Sequence, residues 1–322
     1  MGRRLTKGLR AGAALFLSAW TTWAAAGTSL NVEVAAEPGH IAWDAAGSWR
    51  DSIAQGAHRI DVTQLRGVGN GSGEVSVVPL HRLAQTVPSA SVLELPFLFR
   101  TEADVERAVA SSLGDTIREE ASAAGLRVLA VWNEGMHSLS GNGRYDRAEN
   151  LVGIEFVVLR PDPIAERQFT ALDAWTRVLR PQSLSQLMTE CLVSSRSATL
   201  QQIAREQLFR VHLSLTLTQH RYEGWAVLAK KETWDALPES ARIEHIAALE
   251  KATGWQRREA AIREERALAR LKADGMAVFP LDDAGRRRYQ ARMQPWEDML
   301  PSSLTLDRRR DLIRMATTAG GT

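Results

Sequence analysis

Seven histidines, a single cysteine and scattered serines, arginines and carboxylates are the residues of this 322-residue chain from which chemistry could be built. No His-x-x-x-His pair occurs, and Ile243-Glu-His-Ile246 lacks the spacing that sets two imidazoles and a glutamate on one helix face around zinc. Cys191 stands alone, so no internal disulfide and no thiolate metal cluster can form, and no sequence cue gives it a histidine partner. Ser72 lies between glycines, but Asn70 occupies the outer glycine position of a nucleophile elbow. Gly67-Val-Gly-Asn-Gly-Ser-Gly73 looks like a phosphate cradle, yet it has no lysine and no strand-loop-helix context, so it is expected to be a turn. These spacings support no enzyme, no metal and no cofactor. A hydrolase remains open only through residues that the fold brings together from a distance.

The elements that must position any site alternate between two periodicities. Residues 30–35, 74–78, 91–95, 126–132 and 154–159 read as strands, and residues 40–54, 102–111 and 164–172 as helices. Such alternation indicates an α/β protein with strands buried under helices. Thr101 with Asp104 three residues on is a capping-box-like start for the helix that follows. After Pro238 an apolar pattern through Ile243, Ile246, Leu249, Leu268 and Leu271 runs to Asp274-Gly275. One helix over 239–272 would extend roughly 50 Å at 1.5 Å per residue and could brace two lobes. Two shorter helices broken at Gly254 fit the pattern equally well, since an interior glycine costs only about 1 kcal/mol.

Length favours two lobes over one core, and a composition 44% hydrophobic and 24% charged is that of a globular protein. Arg3, Arg4, Lys7 and Arg10, the apolar run from Ala11 to Trp20, and Ala24-Ala25-Ala26 form a signal-peptide pattern over residues 1–26, with cleavage expected near Ala26. The apolar run is short of the about 20 residues a membrane span needs. Removing the leader moves the formal charge from +2 (40 basic against 38 acidic) to −2 (36 against 38), so a nucleic-acid partner has no electrostatic support. A soluble, exported, periplasmic protein is expected.

The segment Val92-Leu-Glu-Leu-Pro-Phe-Leu-Phe-Arg-Thr-Glu-Ala-Asp-Val-Glu106, an apolar run passing through proline into a threonine-started helix, resembles a segment of the periplasmic solute-binding proteins of TRAP transporters. Three further stretches resemble the same family in order: Gly125-Leu-Arg-Val-Leu-Ala-Val-Trp-Asn-Glu-Gly-Met-His137; Thr216-Leu-Thr-Gln-His220 with Ala226-Val-Leu-Ala-Lys-Lys-Glu-Thr-Trp-Asp-Ala-Leu-Pro-Glu239; and Gly275-Met-Ala-Val-Phe279 with Tyr289 to Trp296. Together they cover residues 74–300. The resemblance (DctP-type) implies two α/β lobes around an interlobe cleft, a long bridging helix, hinge closure on a small-molecule ligand, and docking on TRAP membrane subunits. It places residues 27–134 with 219–254 in lobe 1, and residues 135–218 with 255–322 in lobe 2.

At the family's usual ligand contacts the chain departs from the pattern. Where an arginine commonly clamps the ligand carboxylate with two prongs, Gly153-Ile-Glu-Phe-Val-Val-Leu-Arg160 offers Val157, or Val158 if a one-residue insertion falls earlier. Arg160 shares a strand face with Val158 and not with Val157, so it can replace the clamp only under the shifted alignment. His137 stands where a second arginine is usual, and Ala198 where asparagine is usual, with Arg196 two residues before it. His137, Arg160 and Arg196 are therefore the expected centre of the cleft. Trp132, Tyr222 and Trp225, near the crossings, are candidates to stack on a ligand, with Gln219 and His81 as further contacts. Two readings follow: delivery of a small organic acid or other polar molecule to a TRAP-type transporter, or, because the carboxylate contacts differ, a derived fold used for protein interaction or sensing.

Overall fold

The computed structural model describes residues 28–53, 58–65, 73–180, 184, 186, 188–189 and 193–320. The signal-peptide pattern, most of the glycine-rich turn and Cys191 lie outside them. The described residues form two sheets. The first has the order β2-β1-β3-β10-β4, from β1 Ser29–Val34, β2 Arg59–Gln64, β3 Val75–Pro79, β4 Leu126–Met136 and β10 Tyr222–Lys230. The second has the order β11-β9-β5-β8-β6-β7, from β5 Ser138–Gly141, β6 Glu155–Val158, β7 Trp175–Val178, β8 Ser195–Ala198, β9 Ser214–Leu217 and β11 Ala277–Pro280.

The chain passes between the sheets at two adjacent points. Only His137 separates β4 from β5, and residues 218–221 carry β9 into β10. The two crossings bond to each other: His137 N–H donates to the Arg221 carbonyl at 2.7 Å and His220 N–H to the His137 carbonyl at 3.0 Å. Just before the first crossing, Gly135 has φ +145, and a Cβ there would press on Thr199 at 3.3 Å. Glycine is needed at that turn.

A third connection is the helix Glu239–Ala273, continuous through Gly254. It packs on the helix Ile41–Ile53, on β4 and on the helix Leu200–Arg205. One buried side chain fastens it to the sheet edge. Gln256 accepts from Asn133 N–H at 3.1 Å and donates to the Asn133 carbonyl at 2.6 Å, as a neighbouring strand would.

The apolar run at 91–95 is not a strand. Residues Pro88–Glu94 form a buried 3-10 helix, because Pro88 fixes the first φ and burial on every side makes the run apolar without alternation. It leads through Leu95 and Pro96 to Phe97, which stacks on Tyr289 with ring centroids 5.0 Å apart, while the Trp296 indole donates to the Pro96 carbonyl at 3.0 Å. The expected capping box is present: Thr101 and Asp104 each accept the other's backbone N–H. The last helix, Leu306–Thr318, buries Leu312 and Ala316 and packs against Pro88–Glu94 and Ser112–Ala123, elements beside the first sheet. Within the stretch 255–322, this helix is the part that packs beside the first sheet.

Gln256→Ala leaves the buried N–H and carbonyl of Asn133 unpaired, and each such group costs about 1–3 kcal/mol. The variant is expected to lose about 3 kcal/mol of unfolding free energy in urea denaturation. A loss under about 0.5 kcal/mol, the range of neutral surface changes, would mean that Gln256 is not what fastens the helix to β4.

Candidate functional site

A polar cavity of about 230 Å³ opens beside the two crossings. Its wall is built by Val158, Leu159, Arg160 and Asp162 after β6, Arg196 and Ser197 on β8, Gln202, Arg205 and Glu206 at the following helix, and His137, Arg221 and Glu223 at the crossings. The local sequence explains how these side chains are held. Asp162 precedes Pro163 and caps the helix Pro163–Thr170, accepting from Ala165 N–H at 3.1 Å. Thr199 and Gln202 form a capping box that starts the helix Leu200–Arg205 and fixes the direction of Gln202 and Arg205.

Nearly every cation here already meets a carboxylate of the chain. Arg196 is gripped on two prongs by Glu206, both at 3.1 Å, and also donates to the carbonyls of Val157 and Ser197. Arg221 donates to Asp162 at 2.7 Å. Arg160 lies 3.3 Å from the same Asp162 oxygen and 4.0 Å from Glu94. Arg205 is the looser one, 52% exposed and 3.9 Å from Glu134. Burial opposes ionisation of Asp162, but Arg221 and Arg160 hold its carboxyl well below the usual carboxylate range. Glu94 goes the other way, pushed up to about 7 by burial against the pull of Arg221 and Arg160.

At the crossings a chain of hydrogen bonds runs through two imidazoles. Burial lowers the pKa of His137 and, with His137 beside it, that of His220, so both rings are neutral near pH 7. A neutral His137 donating Nε2–H to Glu223 at 2.7 Å leaves Nδ1 to accept from the Ser197 hydroxyl at 3.0 Å. Ser197 Oγ then accepts from His220 Nε2–H at 3.1 Å, and His220 Nδ1 accepts from the Thr218 hydroxyl at 2.7 Å. Gln202 completes the array by donating to Glu223 at 2.9 Å. Among the described residues no group of three or more His, Cys, Asp or Glu is placed to hold a metal ion.

The structure brings His137, Arg160 and Arg196 to this one cavity and separates the aromatic candidates from it. Val158 lines the cavity with Arg160, whereas Val157 belongs to the core cluster that includes Ile203 and Leu271. His81 sits near the same charges, its pKa lowered to about 3 by burial and then by Arg160. Trp132 is wholly buried in the first sheet's core and donates to Thr253 at 2.9 Å. Trp225 is buried with it and donates to Glu134 at 2.9 Å. Tyr222 bonds Asn133 at 2.8 Å and lines a separate groove along β4, and the Gln219 backbone, at φ 43, turns its carbonyl toward Arg286. None of these four lines the cavity: the side chains of Trp132, Tyr222 and Trp225 are buried, as aromatic area at a strand crossing most readily is, and Gln219 is exposed.

Asp162, Arg205, Glu206, Arg221 and Glu223 were missed. Arg221 and Glu223 directly follow Thr216-Leu-Thr-Gln-His220, and charges of opposite sign at a chain crossing were the available signal. The residues pairing with them lie as far as 86 positions away, a distance that spacing rules do not read.

Beside Gly135, Glu264 on the long helix has a buried Oε2 with no hydrogen-bond partner. Burial, then Glu102 and Glu134, push its pKa up from 4.5 to about 8. A raised carboxyl stabilises the fold fully below 4.5, and the contribution is lost as pH rises through the folded value. Glu264→Gln cannot ionise, so its melting temperature should gain on that of the parent as pH rises from 5 to about 9, beyond the about 8 at which Glu264 titrates. A difference that stays constant across that interval would contradict the buried, unpaired placement.

The comparisons with known proteins agree on one group. The chain matches the family model described as bacterial extracellular solute-binding protein, family 7, over residues 53–300. The C4-dicarboxylate-binding protein DctB of Bacillus subtilis is 25% identical over 238 residues, covering 73% of this chain and 67% of that protein. The C4-dicarboxylate-binding periplasmic protein DctP of Rhodobacter capsulatus is 23% identical, covering 66% and 62%. The match therefore spans about two thirds of these relatives' length. Among solved structures, a TRAP periplasmic solute-binding protein from Ochrobactrum anthropi superposes with a TM-score of 0.81 at 20% identity, over 91% of this chain and 95% of that one. One from Sulfurospirillum deleyianum with bound succinate gives 0.74 at 19%, over 91% and 99%.

Proposed function

Because the chain belongs to bacterial extracellular solute-binding protein family 7, we propose that it captures a small organic acid in the cavity beside its crossings and hands it to the membrane subunits of a TRAP-type transporter. The observation that carries this reading is the cavity itself: a polar pocket of about 230 Å³, lined by four arginines, where the chain passes between its two sheets. The ligands named for the relatives, C4-dicarboxylate and succinate, are small organic acids of a size that such a pocket suits. In this reading the protein is exported, residues 1–26 are removed, and the first lobe takes residues 27–134 and 219–254 together with the closing helix. The second takes residues 135–218 and the rest of the chain to about residue 300. No helix among the described residues is long and apolar enough to cross a membrane, so docking on membrane subunits would be a surface contact.

The protein binds its ligand without altering it. Glu223, His137 and Ser197 stand in the order of a catalytic triad, but the Ser197 hydroxyl is shared between two buried imidazoles and its residue is only 6% exposed. Such a hydroxyl is an element of a lock between strands, since a nucleophile must reach the substrate carbonyl. His137, Arg160, Arg196 and His81 frame the ligand site, with Arg205, Arg221 and Glu223 added.

Thermal-shift screening of the purified protein against organic acids tests the reading. A ligand that binds only the folded state raises stability by about 2.7 kcal/mol at a hundred times its dissociation constant, and its NMR spectrum should be unchanged after overnight incubation. No shift with any acid, or turnover of one, would contradict it.

A further inference from the structure

The charges around the cavity select among organic acids. Arg196 and Arg221 are spent on Glu206 and Asp162, and Arg160 shares Asp162 and approaches Glu94. Four arginines thus face three carboxylates in the wall, and Glu134 beside Arg205 makes a fourth. The site is formally neutral before a ligand enters. A dianion would find no uncompensated pair of cations there, and bringing two negative charges beside four carboxylates is unfavourable in a confined, poorly hydrated space.

Two groups keep capacity for a ligand. Arg205 is half exposed, with one distant carboxylate contact. Glu223 receives both of its hydrogen bonds, from His137 and Gln202, on Oε2, which leaves Oε1 for a donor. Both line the same cavity. A cation and an ionised acceptor on the wall of one pocket of about 230 Å³ match the carboxylate and ammonium of a small zwitterion.

We propose that the ligand is a small zwitterion of the α-amino-acid class, its carboxylate on Arg205 and its ammonium on Glu223, rather than a dicarboxylate. The inference rests on the organic-acid-binding function proposed above.

Isothermal titration of the full protein at pH 7 with neutral α-amino acids, their N-acetyl derivatives and succinate tests it. At least one amino acid should bind about tenfold or more tightly than succinate, and its N-acetyl derivative, which keeps the carboxylate but loses the ammonium, should lose at least about tenfold, the worth of one hydrogen bond to a charged group. Glu223→Gln should weaken the amino acid by a similar factor. Arg205→Ala, a change at an exposed side chain, provides a second variant whose fold is secure and should also weaken it. Succinate binding more tightly than every amino acid, or N-acetyl derivatives binding as well as their parents, would overturn the zwitterion while leaving the organic-acid function intact. Binding by none of the three classes would overturn the zwitterion, and a thermal-shift screen in which no other organic acid binds either would end both.

Discussion

Everything in this molecule is organised around the pair of backbone hydrogen bonds that tie His137 to residues 220 and 221. They hold two chain crossings side by side, so the sheets are joined along one narrow belt. A belt of this kind buries polar backbone and side chains together, and each must find a partner inside. Asp162 shows the economy of the solution: one carboxylate caps a helix, pairs with Arg221 and steadies Arg160. The array Glu223, His137, Ser197, His220, Thr218 links further buried groups through neutral imidazoles, avoiding an extra buried charge.

Behind the belt the packing is apolar and continuous. One cluster runs from Leu93, Phe97 and Phe99 through Tyr145 and Phe156 to Tyr289 and Trp296, linking elements of both sheets. The long helix braces the same region, and Gln256 fastens it to the edge of β4. In the proposed function these constraints leave rotation about the crossings as the low-cost motion for closing on a solute. The charged cavity lies beside the crossings, lined by His137, Arg221 and Glu223.

Much of the fold was legible in the sequence because it was locally encoded. The capping pair Thr101 and Asp104, the helix start at Pro238 and the strands at 30–35, 74–78 and 126–132 each depend on residues within a few positions. The run at 91–95 misled for a physical reason: a segment buried on all sides is apolar whether it is strand or 3-10 helix. The site was half legible. His137, Arg160 and Arg196 meet at one cavity. Whether an arginine is free or neutralised, though, depends on partners such as Glu206, Asp162 and Glu94, which only the folded chain brings near. Trp132, Tyr222 and Trp225 lie beside the crossings in sequence, but their side chains turn into the core or the β4 groove, a choice set by strand register that adjacency does not reveal.

The central claim is that the space beside the crossings holds a small acid that the protein carries unchanged. Native mass spectrometry of the mature protein, purified without unfolding, tests it most directly. The account predicts a one-to-one adduct of low mass that is released intact on denaturation and rebinds when returned. A protein that emerges free of any adduct, and forms none with organic acids added at millimolar concentration, would contradict it.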